Sequence, residues 1–105
     1  MAVAPDIIDY ESALYALLGW TGCTVSIDVH ANGVPLGTMA GRLMGAQPVG
    51  GTIGDPDERL VVALNSAAAV TIYRQRFLQA QTLGDQLAIS MGDELLMFTV
   101  LPPED

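Results

Sequence analysis

A chain of 105 residues, half of them apolar, is long enough for one domain with one core and too apolar to stay disordered. Its 12 acidic residues against 4 arginines, with no lysine, give a net charge of −8, which disfavours binding to nucleic acid and to anionic membranes. Cys23 is the only cysteine, which excludes an internal disulfide, and no leader-like or membrane-length apolar run is visible, so we predict a cytoplasmic single domain over residues 1–105.

The first predicted element is a helix over residues 6–18. Apolar residues recur there at intervals of three and four and fall on one stripe: Ile7, Tyr10, Leu14, Leu17 and Leu18. Acidic residues near Asp6 suit the positive end of the helix dipole. Gly19 suits a left-handed stop, so the helix is predicted to end just before it.

Strands are predicted from here to residue 101. Residues 23–30 alternate apolar and polar, with Cys23 on the core face, and the Asn32-Gly33 pair then predicts a hairpin into a second strand. Glycines recur every four residues in that second strand, from about residue 34 to 46, and suit a sharp bend. Residues 47–58 are rich in glycine, proline and acid and predict a flexible loop.

The remaining segments complete a mainly β chain. An apolar run over residues 60–64 and a β-branched segment over residues 69–77 predict two strands. Residues 86–101 form a hairpin around Gly92 and Asp93, and residues 102–105 form an acidic tail. The expected fold is an N-terminal α-helix followed by a five- or six-stranded, strongly bent small barrel.

Two segments carry a resemblance to a known family. Residues 17–25 (Leu-Leu-Gly-Trp-Thr-Gly-Cys-Thr-Val) and residues 37–43 (Gly-Thr-Met-Ala-Gly-Arg-Leu) resemble the helix-to-strand junction and the glycine-centred second strand of Sm-like small β-barrels. The resemblance implies ring-shaped self-assembly through barrel edges. The family's two RNA-contacting motifs, Asp-x-x-x-Asn and Arg-Gly, are absent; residues 44–48 and 73–77 occupy those places. RNA binding is therefore not implied.

Several polar residues invite a chemical interpretation, and we favour a structural one for each. Ser26, Asp28 and His30 share one strand face, but residues two apart on a strand lie about 7 Å apart, too far for a catalytic triad. One histidine and one cysteine are too few for structural zinc. The acidic run Asp55, Asp57 and Glu58 lacks the other positions of a calcium loop and predicts a solvated surface. We predict no enzyme, no cofactor and no metal.

Two further features bear on partners. Arg42, Arg74 and Arg76 fall on predicted strands; either they pair with the abundant acids, which we favour, or they converge on a pore and hold an anion such as RNA. The third and last long strands are apolar on both faces, so one face needs a partner. The predicted interface is Leu60, Val62, Leu64, Leu96, Phe98 and Val100.

The leading hypothesis is therefore a non-enzymatic assembly or binding module that forms a homo-oligomeric ring of five to seven copies. The alternative is an RNA-binding ring that uses Arg74 and Arg76. An enzyme is left only as a site shared between subunits.

Overall fold

The structure, a computed structural model, describes residues 6–50, 58–66 and 68–102. The chain is mainly β with one short helix. Its elements are β1 (Asp6–Ile8), α1 (Tyr10–Gly19), β2 (Thr24–Ala31), β3 (Val34–Val49), β4 (Arg59–Leu64), β5 (Ala69–Tyr73), β6 (Phe77–Leu83), β7 (Gln86–Met91) and β8 (Glu94–Val100). Most of the predicted flexible loop and the end of the predicted tail lie outside the described residues.

The strands form one antiparallel sheet in the order β1-β6-β7-β8-β2-β3-β4-β5. It has eight strands, not the five or six predicted. Among the described residues, β1 and β5 each have a neighbour on one side only, so the sheet is open and these two strands are its edges.

β3 is the long, bent strand on which both halves of the sheet depend. Its first part, up to Arg42, pairs with β2, and its second part, from Leu43, pairs with β4 across an irregularity in register. The bend brings Gly41 so close to the β4–β5 turn that a Cβ there would lie 2.9 Å from Asn65 Oδ1. Residues 47–49, predicted as loop, belong to β3.

The N-terminal helix begins later than predicted. Residues 6–8 form β1 and pair with β6, and the helix starts at Tyr10 because Asp9 caps it: the Ser12 N–H donates to Asp9 Oδ1 at 2.8 Å. Hydrogen bonding from the Ser12 side chain, and next from the Ser12 N–H, lowers the pKa of the Asp9 carboxyl. Ile7 and Leu18 are exposed rather than on the buried stripe.

The buried side of α1 and one face of the sheet share one hydrophobic cluster. Tyr10, Ala13, Leu14 and Leu17 come from the helix, which packs against β3 and β6. Five of the six residues predicted for the interface also lie in this cluster: Leu60, Val62, Leu64, Leu96 and Phe98; Val100 packs against it. The side chains of these five residues are therefore buried within the single chain, whereas Val100 is half-buried.

Candidate functional site

The open edge of the sheet at β5 has a defined set of outward-facing backbone groups. At its two ends, the Leu64 N–H donates to the Ala68 carbonyl at 2.9 Å and the Arg74 N–H donates to the Glu58 carbonyl at 3.1 Å. Residues of an antiparallel ladder alternate in direction, so every second residue between these ends bonds to β4. The others point their N–H and C=O groups toward the open side: Ala69, Thr71 and Tyr73.

The sequence of β5 does nothing to block this edge. It reads Ala-Val-Thr-Ile-Tyr, without a charge or a proline, and its pairing with β4 has no bulge. Proteins usually protect a free edge with charge, proline, a bulge or a covering segment. At the other edge of the sheet, β1 is shorter and begins with the charged Asp6. β5 is thus the edge better suited to receive another strand.

Arg74 lies in the turn between β5 and β6 and connects three elements. Its Nη1 is 3.2 Å from Glu58 Oε2, just before β4, and its Nη2 is 3.6 Å from Glu11 Oε1 on α1. Its guanidinium carbon lies 4.9 Å from the ring centroid of Tyr10. Arg74 therefore ties the helix to the β4–β5 end of the sheet.

Glu58 was predicted to be solvated, and this is wrong: only 1% of it is exposed. A buried carboxylate needs a cationic partner, and Arg74 supplies one to Oε2. Within the described part of the chain, the other oxygen, Oε1, and the nearby buried hydroxyl of Tyr10 have no hydrogen-bond partner. Burial, and next the negative charge of Glu58, raise the pKa of Tyr10 to about 12.

Arg76 lies in the same turn but in a different setting. Its Nη2 is 2.9 Å from Glu94 Oε1 and 3.2 Å from Asp93 Oδ1, at the β7–β8 turn. Its guanidinium carbon is 6.0 Å from the Tyr73 ring centroid. The expectation that Arg74 and Arg76 share a strand face is wrong, because both are turn residues and they contact different acids.

The third arginine considered as a ligand contact, Arg42, lies on β3 with its side chain exposed. Its backbone N–H donates to Asn65 Oδ1 at 2.9 Å, which fixes the β4–β5 turn against β3. Ligand or RNA contact by the three arginines stays a prediction, now with Arg74 and Arg76 each in ion pairs with acids.

The polar row of β2 lies on the face of the sheet away from the core, as its alternation predicts. Ser26, Asp28 and His30 are half-buried, and Asp28 Oδ1 accepts a 2.6 Å hydrogen bond from Thr38 Oγ1 on β3. Cys23, in contrast, is exposed and stands just before β2, so its predicted core position is wrong. The Gly22 N–H donates to the Leu43 carbonyl and the Leu43 N–H donates to the Cys23 carbonyl, so two residues oppose one here and the alternation of β2 does not extend to Cys23.

Two shallow depressions lie on the outer face of the sheet. One, of about 170 Å³, is lined by Met44, Gly45, Gln47, Val61 and Ala63; the other, of about 190 Å³, is lined by Gln81, Leu83, Gln86, Ala88 and Met97. Both are smaller than the pockets of about 300–1,000 Å³ that hold cofactors and small ligands. Neither brings together the groups of a catalytic site.

No family model, curated protein or solved structure matches this chain. Among the described residues, the helix is too short to span a membrane. The open edge at β5 is the structural feature on which a function can rest most directly.

Proposed function

We propose that this protein is a non-enzymatic assembly module that joins copies of itself by strand pairing at the open edge of β5. The observation that carries this proposal is the unblocked edge: outward-facing backbone groups at Ala69, Thr71 and Tyr73 on a strand without charge, proline or bulge. Such an edge pairs readily with another strand. Closed symmetry allows this pairing to stop at a defined size instead of continuing into fibres.

The contact surface in this proposal differs from the one that the sequence predicts. Five of the six residues predicted for the interface lie in the core, so in this proposal the backbone of β5 makes the contact instead. A strongly bent small barrel of Sm-like type and a ring of five to seven copies belong to the same proposal. Their support is the bent β3, the N-terminal helix and the edge strand β5, which has one side without a partner strand in the part of the chain that the structure describes.

The response to salt distinguishes self-assembly from RNA binding, because the protein is strongly acidic. Each copy carries a net charge of −8, so copies repel one another at long range and added salt should favour assembly. Binding of RNA to Arg74 and Arg76 would weaken with salt, because salt competes for the phosphates. The two functions therefore respond to ionic strength in opposite directions.

The experiment compares two threonine variants with the wild-type chain by sedimentation velocity over a range of concentration and salt. Thr71→Lys places a charge on the open edge; Thr99→Lys places the same charge on β8, which is paired on both sides. Both threonines are half-buried, so the two variants are matched. We expect wild-type and Thr99→Lys chains to assemble and Thr71→Lys chains to stay single.

Two results would contradict the assembly function. One is a wild-type chain that stays single at high concentration and high salt. The other is a Thr71→Lys chain that assembles as well as the Thr99→Lys control. Salt-sensitive binding of single-stranded RNA would favour the RNA-binding ring instead, if it is lost in an Arg74→Ala and Arg76→Ala double variant that circular dichroism shows to be folded.

A further inference from the structure

The opposite edge of the sheet is covered by a very short strand. β1 has three residues, and they pair with Thr82, Gln81 and Ala80 in the middle and end of β6. β6 itself has seven residues, so β1 covers only part of its edge. Asp6 and Ile7 are exposed, so β1 buries little of its own surface in this position.

Apolar side chains are exposed around this cover. Ile7 of β1 is 68% exposed and Leu78 at the start of β6 is 67% exposed, and Leu83 at the end of β6 is exposed as well. Scattered exposed apolar residues are ordinary, but here three of them lie along one strand and its short cover. They provide apolar surface next to β6 that a longer strand would bury.

We propose, on the basis of the assembly function above, that β1 is a displaceable cover and that β5 of one copy replaces it on β6 of the next copy. β5 has five residues against three in β1, so the incoming strand can form a longer ladder. The interface then joins two different edges of the sheet, β5 and β6. A head-to-tail interface of this kind closes into a ring when the rotation between copies divides a full turn and otherwise grows into an open filament, whereas β5 pairing with β5 would give only a dimer.

The same arrangement gives β1 a regulatory role. While β1 occupies β6, the second edge of the sheet among the described residues is β1 itself, which has three residues, begins with the charged Asp6 and offers an incoming β5 only a short ladder. Assembly then requires β1 to leave, and the cost of its departure sets the concentration at which copies join. The N-terminal strand is in this way a built-in restraint on assembly.

A reversible disulfide tests this restraint in the full-length chain. Ile7 and Gln81 lie directly opposite each other, at a Cα separation of about 4.5–5.5 Å that permits a disulfide. We use Ile7→Cys with Gln81→Cys in a Cys23→Ser background. The reduced form should assemble as the Cys23→Ser chain does, and the oxidised form should stay single.

A second disulfide is the matched control. Ala88 and Met97 are also directly opposite each other on the outer face, but they join β7 to β8 and leave the edge of β6 untouched. The oxidised Ala88→Cys, Met97→Cys chain should assemble normally. If the β1–β6 disulfide does not form, or if its oxidised form assembles like this control, β1 is not the restraint and the inference is overturned.

Mixing two blocked chains tests which edges meet. The Thr71→Lys chain has a blocked β5 but an available β6, and the oxidised β1–β6 chain has the reverse. Each should be single alone, and together they should form a 1:1 dimer. Self-dimers of the oxidised chain would show β5–β5 pairing and overturn this inference while leaving the assembly function standing; a wild-type chain that never assembles would overturn both.

Discussion

Arg74 and Arg76 stand two residues apart in one turn, and each contacts two carboxylates, but the structure uses them differently. The Arg74 side chain is 27% exposed and faces Glu58, which is 1% exposed, whereas the Arg76 side chain is 43% exposed and its partner Asp93 more so. At the surface, salt screens a charge pair, and water solvates either charge if the other is removed. In a dry interior, a charge that loses its partner is left uncompensated. Burial of the partner, rather than residue type or spacing, therefore decides how much each arginine contributes to stability.

The largest effect expected is from Arg74→Met, which removes the charge and keeps an apolar stem. Glu58 would then be a buried carboxylate without its cation, and the free energy of unfolding should fall by about 3 kcal/mol. Urea unfolding followed by circular dichroism measures this change.

Combining Arg74→Met with Glu58→Gln is the control, because it removes the stranded charge as well. Most of the lost stability should return in the double variant. An Arg74→Met variant as stable as the wild-type chain would show that the Arg74–Glu58 pair contributes no more to stability than the exposed ion pairs of Arg76 do.

Sequence patterns predict the local parts of this site and miss the long-range parts. The Asn32-Gly33 hairpin forms as predicted, with positive φ at both residues, because the turn chemistry is contained in two adjacent residues. Glu58 and Arg74 meet across the β4–β5 pairing, 16 residues apart, and no local pattern marks that contact. An acidic run next to a loop looks solvated until its partner strand is known.

The missed strand β6 did carry a local signal. Gly84-Asp85 joins β6 to β7 just as Gly92-Asp93 joins β7 to β8, and each glycine has a positive φ. The second pair is recognised because a clear alternation precedes it. β1 carried less signal: Asp6 and Asp9 both suit a helix start, and only the hydrogen bond from Ser12 shows that Asp9 is the cap.

The next effect concerns Tyr10, which lies against Arg74 of the buried Arg74–Glu58 pair. Its pKa is raised from the ordinary tyrosine value of 10.0 to about 12 in the folded chain, so the unfolded chain ionises first as pH rises. The resulting stability is fully present below pH 10 and is lost as pH rises toward 12, by about 2 kcal/mol. Urea unfolding at a series of pH values between these limits measures the loss.

Tyr10→Phe is the control, because it keeps the ring that packs edge-on against Phe77 and removes only the hydroxyl. The variant should lack this part of the alkaline loss. At neutral pH its stability should lie within about 1 kcal/mol of the wild-type chain, since the buried hydroxyl lies near Glu58 but forms no hydrogen bond of good geometry among the described residues. If Tyr10→Phe lost as much stability at alkaline pH as the wild-type chain does, the Tyr10 hydroxyl would not be buried beside Glu58 as the structure has it.

The smallest effect expected is from Arg76→Ala at the exposed end of the same turn. Its pairs with Glu94 and Asp93 are exposed to solvent, so the loss in the free energy of unfolding should be below about 1 kcal/mol. Added salt should shrink that loss further by screening the pairs, whereas the effect of Arg74→Met should persist because Glu58 is out of reach of the ions. Unfolding of both variants at low and high salt makes the comparison directly. A salt-independent loss of several kcal/mol for Arg76→Ala would mean that the Arg76 pairs with Asp93 and Glu94 are as inaccessible to water as the Arg74–Glu58 pair.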